Sequence, residues 1–255
     1  LGLVIAVANQ KGGVGKTTTA INFGAALAAL DRRVAIVDLD PQANATSGLG
    51  FTGKDEEPNS YSLLLGGSSA GALRPTGFPN LSLIPSTRDL VGAEIELIES
   101  RERELRLRLA LEPLKGEADF FLIDCPPALS LLTINALAAA DSVLVPIQTE
   151  YFALEGVSRL LNTVERVREA FNPSLAIEGV VLTLYDERTN LARQVAEDIR
   201  RHLGGLIYRS TIPRSVKLAE APSFGKPVLS YDIGSKGSQA YLELAREFLR
   251  RRKVG

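Results

Sequence analysis

Residues 10 to 18 read Gln-Lys-Gly-Gly-Val-Gly-Lys-Thr-Thr, and their types and spacing suit one task, gripping a chain of phosphates. Small residues let backbone N–H groups turn inward around an anion. A helix starting at the end of the loop adds its partial positive charge. The apolar run Leu3-Val4-Ile5-Ala6-Val7-Ala8 precedes the loop and a helical pattern, Ala20 to Leu30, follows it. Strand, glycine loop and helix in that order are the context such a loop needs. Gly12, Gly13, Val14 and Gly15 supply the cradle, Lys16 reaches the terminal phosphates, and the Thr17 hydroxyl is suited to ligate Mg²⁺.

The spacing departs from the general pattern G-x-x-x-x-G-K-[ST] in one respect. Its first glycine falls at position 10, which is Gln10, and position 11 holds a second lysine. Turn chemistry does not explain Lys11, because lysine has no special tolerance for positive φ. Two readings stand: a solvated surface lysine, or a second phosphate-directed charge.

Bound Mg²⁺ calls for carboxylates nearby, and two apolar runs end in aspartate. One is Phe120-Phe121-Leu122-Ile123-Asp124, followed by Cys125-Pro126-Pro127. A carboxylate at a strand end facing the phosphate loop is the metal-side partner in phosphoryl transfer. The other is Val37-Asp38-Leu39-Asp40-Pro41. Asp40 is expected nearer the mouth, where a carboxylate orients or deprotonates an attacking water; Asp38 is expected to serve metal or loop geometry.

The elements that must position these groups are legible as runs. Strands are predicted over 3–8, 34–39, 81–85, 120–124, 142–146, 177–184 and 208–212. Helices are predicted over 16–30, 90–111, 130–139, 154–170, 189–203, 216–220 and 238–252. Most strand runs are continuously apolar, which marks strands covered on both faces. Their alternation with helices predicts an α/β fold, a doubly wound, mostly parallel sheet flanked by helices, with ligand at the carboxyl ends of the strands. Residues 50–78 read as a surface excursion with a short helix near Tyr61–Leu65. The 90–111 helix mixes signs densely and reads as a solvated helix laced with i,i+4 ion pairs, with a partner-docking surface as the alternative.

The chain has 255 residues, 45% hydrophobic and 23% charged, which suits one domain over 1–255. No apolar stretch reaches the length of a membrane span. The lone Cys125 argues against a disulfide framework, and the absence of a signal-peptide pattern favours a cytoplasmic protein. Net charge is −1 but unevenly spread. Residues 1–187 carry 15 basic and 24 acidic residues, a balance of −9; residues 188–255 carry 14 and 6, a balance of +8. That split suggests a basic surface fed by the last quarter of the chain; ordinary solvated helix faces are the alternative.

The form K-G-G-x-G-K-T-T resembles the deviant Walker A box of the ParA/MinD ATPases. VDLDPQANATSGLG is similar to their A′ box, and IDCPPALSLLTINAL to their B box and the switch segment behind it. IPRSVKLAEAPSFGKP, EYFALEGVSRL and LYDERTNLARQV extend the likeness to short chromosomal ParA/Soj proteins over nearly the whole chain. One departure is Ala43, where the family usually carries glycine. The resemblance implies ATP and Mg²⁺ as cofactors and weak basal hydrolysis of ATP to ADP and phosphate. By it, Lys16 and the backbone of 12–17 hold the phosphates, Thr17 ligates Mg²⁺, Thr18 lies near the α-phosphate, and Asp124 supports the Mg²⁺ shell through water. Asp40 assists hydrolysis, Pro213 and Arg214 border the adenine, and Lys11 reaches the partner's nucleotide in an ATP-bound homodimer.

Two branches of the class fit poorly. Iron–sulfur members need more cysteines than Cys125. MinD-type members end in an amphipathic membrane helix, whereas here Tyr241, Leu244, Ala245 and Phe248 read as a core face, so no stable membrane binding is expected. The expected function is an ATP-dependent dimerising switch for chromosome or plasmid partition. It binds DNA without reading sequence, sits on the nucleoid, and is stimulated by a ParB-type centromere-binding protein. Arg188, Arg193 and Lys217 lead the DNA-binding candidates, with Arg200, Arg201, Arg209, Arg214, Lys226 and Lys236 behind them. The alternative is a MinD-like positioning ATPase acting at a membrane or on a protein cargo.

Overall fold

A computed structural model describes residues 2–52, 57–150 and 153–252. The chain runs β1 (Leu3–Val7), α1 (Lys16–Ala28), β2 (Val34–Asp38), α2 (Asn44–Gly48), α3 (Ser60–Leu64), β3 (Arg74–Pro75), β4 (Leu81–Ile84), α4 (Leu90–Glu96), α5 (Arg106–Leu111), β5 (Phe120–Asp124), α6 (Leu131–Ala139), β6 (Ser142–Gln148), α7 (Ala153–Ala170), β7 (Ala176–Tyr185), α8 (Asn190–Leu203), β8 (Ile207–Pro213), α9 (Val216–Glu220), α10 (Val228–Tyr231) and α11 (Lys236–Arg251).

The strands form one sheet in the order β3-β4-β2-β5-β1-β6-β7-β8. All neighbours are parallel except β3, which pairs antiparallel with β4. The seven predicted strands are all present; the two-residue β3 is additional. Continuous apolar runs are explained by the two cores. Successive side chains of a strand point to opposite faces, so Val4, Ala6, Phe121 and Ile123 enter one core beneath α3 to α8. Ile5, Phe120, Leu122 and Leu144 enter the other, beneath α1, α10 and α11. There Phe248 stands edge-on to Phe23 and Phe120, with ring centroids 5.2 and 5.4 Å apart.

One predicted element is corrected. Residues 90–111 are not one helix: α4 ends at Glu96, Glu102 takes a left-handed φ of 55°, and α5 begins at Arg106. A straight helix of that length would span about 33 Å. The break instead lets Leu90, Ala93 and Leu97 pack in the same core as Leu107 and Leu111. Arg103 closes the gap by donating to the Ile98 carbonyl at 3.1 Å, and Asn135 accepts the Leu107 N–H. The expected i,i+4 ladder is absent among the described residues of this stretch, where the one ion pair is Arg103–Glu104.

The register decides what meets at the strand ends. Val7 lies opposite Asp124 across β1–β5, and Asp38 lies opposite Asp124 across β2–β5. The phosphate loop therefore leaves β1 with two aspartate-bearing strand ends on its β5 side.

Candidate nucleotide site

The loop from Asn9 to Gly15 is held by its flanks. Asn9 donates to the Pro146 carbonyl at 2.8 Å and accepts the Lys11 N–H at 3.0 Å. Thr183, on β7, donates to the Val14 carbonyl at 2.8 Å. Gly13 and Gly15 have φ of 75° and 83°, which side-chain-bearing residues adopt at a cost. Gln10 is not left-handed; its amide donates to Thr163 on α7. The displaced glycine is therefore explained, because the backbone at position 10 does not need one.

Lys16 is buried at the first position of α1, and its ammonium donates to the Lys11 carbonyl at 3.1 Å. Burial lowers its pKa, opposed by Asp124, Cys125 and Asp40. Thr17 and Thr18 follow, half-buried, on the first turn. Lys11 is exposed at the mouth and pairs with Glu150.

Asp124 is fully buried, and neither carboxylate oxygen makes a hydrogen bond among the described residues. The Thr17 hydroxyl lies alongside, outside hydrogen-bond geometry. Burial, with the facing Asp38 and with Asp40, pushes the Asp124 pKa well above the carboxylate range, while Thr17 and Lys16 oppose the shift. A buried acidic group without partners is costly, and this one sits under a phosphate loop beside a hydroxyl and an ammonium. That donor set fits Mg²⁺, with Thr17 and Asp124 as the residues that would hold it directly or through water. The cation would supply charge neutralisation for the phosphate oxygens.

Asp38 and Asp40 have separate roles. Asp38 is buried, and its carboxylate is spent on backbone geometry. It accepts the Thr46 N–H and hydroxyl, both at 2.7 Å, and the Asp40 N–H at 3.2 Å. Burial raises its pKa to about 6 against those donors. The expected metal role for Asp38 therefore gives way to loop geometry. Asp40 is nearly buried at the mouth; its side chain accepts the Gln42 N–H, and its carbonyl accepts the Ser86 hydroxyl at 2.8 Å. Ser86 also donates its N–H to the Thr46 hydroxyl at 2.8 Å. Ala43 has φ 52° and ψ 37° at the start of α2, the left-handed conformation for which the family's glycine is suited.

On the far side, Gly15, Thr18, Thr183, Pro213, Ser215 and Tyr241 help to line a cavity of about 110 Å³. Pro213 thus stands beside Thr18, where the base is expected. Arg214 does not line that cavity: it is exposed, and its charge, like that of Arg188, acts on Asp186. Arg188 chelates Asp186 with two bonds of 2.8 and 2.7 Å. Arg193 bonds Asn190 on α8. Lys217 pairs with Glu220 at 3.1 Å and lies 5.3 Å from the centre of the Tyr231 ring. Asn9, Ser86 and Thr183 carry no signal in the sequence, because each is tied to a partner 137, 46 or 169 positions away; Thr46 and Glu150 lie in runs that carry the family likeness, but the runs alone assign them no contact. Lys253, and Tyr151 and Phe152 in the EYFALEGVSRL run, lie outside the described residues.

A phosphate loop on β1, a buried aspartate on the neighbouring β5 and an aspartate-bearing turn after β2 define a P-loop ATPase of the deviant Walker A class. An AAA-domain family model matches residues 2–177. The chain is 53% identical over 253 residues to a protein of Caulobacter vibrioides named chromosome partitioning protein ParA, covering 98% of this chain and 95% of that one. It is 52% identical over 248 residues to the sporulation initiation inhibitor protein Soj of Bacillus subtilis, covering 97% and 98%. The chain belongs to the ParA/Soj family of chromosome-partitioning proteins. A solved structure named cobyrinic acid a,c-diamide synthase, from Mycobacterium smegmatis, superposes with a TM-score of 0.87 at 40% identity, covering 100% of this chain and 97% of that one. It holds ADP and magnesium, and a second structure of it holds an ATP analogue and magnesium. ATP and Mg²⁺ are the cofactors of this fold.

Proposed function

We propose that the whole chain acts as one ATPase domain that switches chromosome or plasmid DNA between held and released states. ATP closes a homodimer, the dimer grips DNA through phosphates, and a ParB-type partner stimulates hydrolysis and release. The observation that carries the reading is the pairing of an unbonded, buried Asp124 with Lys16 and Thr17, while Lys11 stands exposed on the rim. A second lysine on the rim suits a nucleotide completed from another copy. In hydrolysis, Asp40 orients the attacking water, its backbone fixed by Asp38 and Ser86. Arg188, Arg193 and Lys217 contribute to the DNA grip; their partners Asp186, Asn190 and Glu220 lie at the surface, half-buried or exposed, where solvent screens such pairs and exchange for phosphate is open.

The apolar face of α11, with Tyr241, Leu244 and Phe248, is buried in the core and is not free to lie in a membrane surface, which favours the DNA reading over a MinD-like one acting through that helix. The test is co-sedimentation with random-sequence duplex DNA in ATP and in ADP across a salt series, beside liposomes. ATP-dependent, salt-sensitive DNA binding supports the reading. Liposome binding without it refutes the reading, and stoichiometric amidation of a small-molecule acid would favour a synthetase.

A further inference from the structure

The last quarter of the chain carries the basic excess, and the fold divides it between two ends of the sheet. Arg188 follows β7, Arg193 lies on the first turn of α8 and Lys217 follows β8, so all three stand at the carboxyl ends of the strands, with the nucleotide site. Arg200 stands further along α8, about 10 Å down the helix axis from Arg193. There it meets Arg209 of β8 and Arg246 and Arg250 of α11 around a cleft of about 1010 Å³. No residue lining this cleft lines the cavity beside Thr18.

The elements around the cleft are tied together. Between the Val180–Ile207 and Leu182–Thr211 pairs, β8 spends four residues against two of β7. The bulge sends the Tyr208 ring into the core and leaves Arg209 exposed. Glu247 fastens it to α11 by accepting the Arg209 and Ser210 N–H groups at 2.9 and 2.8 Å. Arg251 closes the floor: it pairs with Glu247, donates to the Gly205 and Ile207 carbonyls, and lies 4.1 Å from the centre of the Tyr208 ring.

The charge on the walls is unspent. Arg200, Arg209, Arg246 and Arg250 are exposed, and their guanidinium groups make no hydrogen bond or ion pair among the described residues. Of the two acids lining the cleft, Glu247 is consumed by the contacts above, and Glu243 makes no ion pair with any of the four. The other acids of α8 and β7 lie outside it: Asp198 pairs with Arg201, Glu178 pairs with Arg252, and Glu197 does not line the cleft. Five arginines against two glutamates leave a balance of +3. Arg246 and Arg250 stand four apart on one helix, a like-charge spacing that costs stability unless an anion lies between them. Helix C-terminal ends favour cations, which accounts for Arg200 and Arg250 in the last turns of α8 and α11. It does not account for Arg209 on a strand or Arg246 a turn further in.

We propose that this cleft is a second phosphate site of the chain, taking a compact polyphosphate anion whose oxygens are bridged by the four free guanidinium forks. Such forks match phosphate oxygens two at a time. The cleft stands at the upper end of the size range of small-ligand pockets, and a phosphate chain concentrates three or four negative charges within that space. The site is separate from the ATPase and DNA readings above and does not rest on them.

The test is isothermal titration of inorganic tripolyphosphate into the full chain, with ADP and Mg²⁺ holding the nucleotide site. A single equivalent should bind, and Arg246→Ala/Arg250→Ala, which removes two exposed side chains, should weaken binding by about tenfold or more. The same variant should keep basal hydrolysis and ATP-dependent co-sedimentation with duplex DNA within about twofold, because the two basic clusters lie farther apart than the Debye length of about 8 Å at physiological salt. Equal tripolyphosphate affinity in wild type and variant overturns the site. Loss of DNA co-sedimentation in the variant overturns it as well, since the cleft would then belong to the DNA surface.

Discussion

Thr46→Val tests how the hydrolytic turn is built. Thr46 is buried and its hydroxyl serves two neighbours, donating to Asp38 at 2.7 Å and accepting the Ser86 N–H at 2.8 Å. Valine keeps the shape and removes both bonds. Loss of a hydrogen bond to a charged group costs about 1.5–3 kcal/mol, and an orphaned buried N–H about 1–3 kcal/mol. The two losses share one atom, so the expected destabilisation is roughly 3–5 kcal/mol rather than the full sum. The deficit also depends on pH. Asp38 has a folded pKa near 6, above the unfolded value of about 3.9. Its ionisation therefore disfavours the fold, and stability falls as pH rises from about 4 to 6. The Thr46 donors ease that ionisation, so the variant's deficit is larger at pH 8 than at pH 5. Urea unfolding at the two pH values reads it. Because Ser86 and Asp38 fix the Asp40 backbone, turnover should fall about tenfold or more while ATP affinity holds. Thr46→Ser, which keeps both bonds, should recover most of each loss. A Thr46→Val deficit below about 1 kcal/mol, or unchanged turnover, would refute the claim that this network carries the turn.

Lys11→Ala removes a rim charge paired only with an exposed glutamate. Stability should change by less than about 0.5 kcal/mol, ATP binding should persist, and the ATP-dependent dimer should disappear in sedimentation; a surviving dimer excludes a role in trans. Ala43→Gly relieves a left-handed φ of 52°, and the relief of about 1–2 kcal/mol exceeds the added unfolded-state entropy of about 0.5–1 kcal/mol. A net gain near 1 kcal/mol should show as a higher denaturant midpoint. Glu247, buried on α11, accepts the N–H groups of Arg209 and Ser210, the Ser210 hydroxyl and Arg251. Burial alone would raise its pKa, but these donors hold it below the usual carboxylate value. Its stabilisation is therefore present above the unfolded pKa and lost as pH falls through the folded one. Glu247→Gln should cost about 1–3 kcal/mol at pH 7 and flatten the acid limb of the unfolding curve; an unchanged limb assigns the acid sensitivity elsewhere.

Features that depend on neighbours in the chain were legible without a structure. The phosphate loop is such a feature, since the turn, the glycines at 13 and 15 and the lysine on the first helical turn all act within a few residues. So are the strands, whose apolar runs follow from burial on both faces, and the aspartates that end two of them. The 90–111 segment misled because its charges fit helical spacing, while the need to bring Leu97 and Leu107 into one core broke the helix. The difference between Asp38 and Asp40 was open for the same kind of reason: both are acids at a strand end, and only Thr46 and Ser86, brought in from α2 and from the loop after β4, show that the Asp38 carboxylate is spent on backbone geometry.

The amino-acid order alone determined that this chain closes around a triphosphate, which strands carry its acids, and that a second lysine stands in the loop, because local backbone chemistry and side-chain period are properties of short segments. Tertiary structure decided that Asp38 and Asp124 face each other across paired strands, that Asp124 is left without a hydrogen-bond partner among the described residues, that Lys16 rests on the Lys11 carbonyl, and that residues 90–111 break into two helices. Those outcomes depend on strand order and register, which are set by the packing of the whole sheet against its two helical layers.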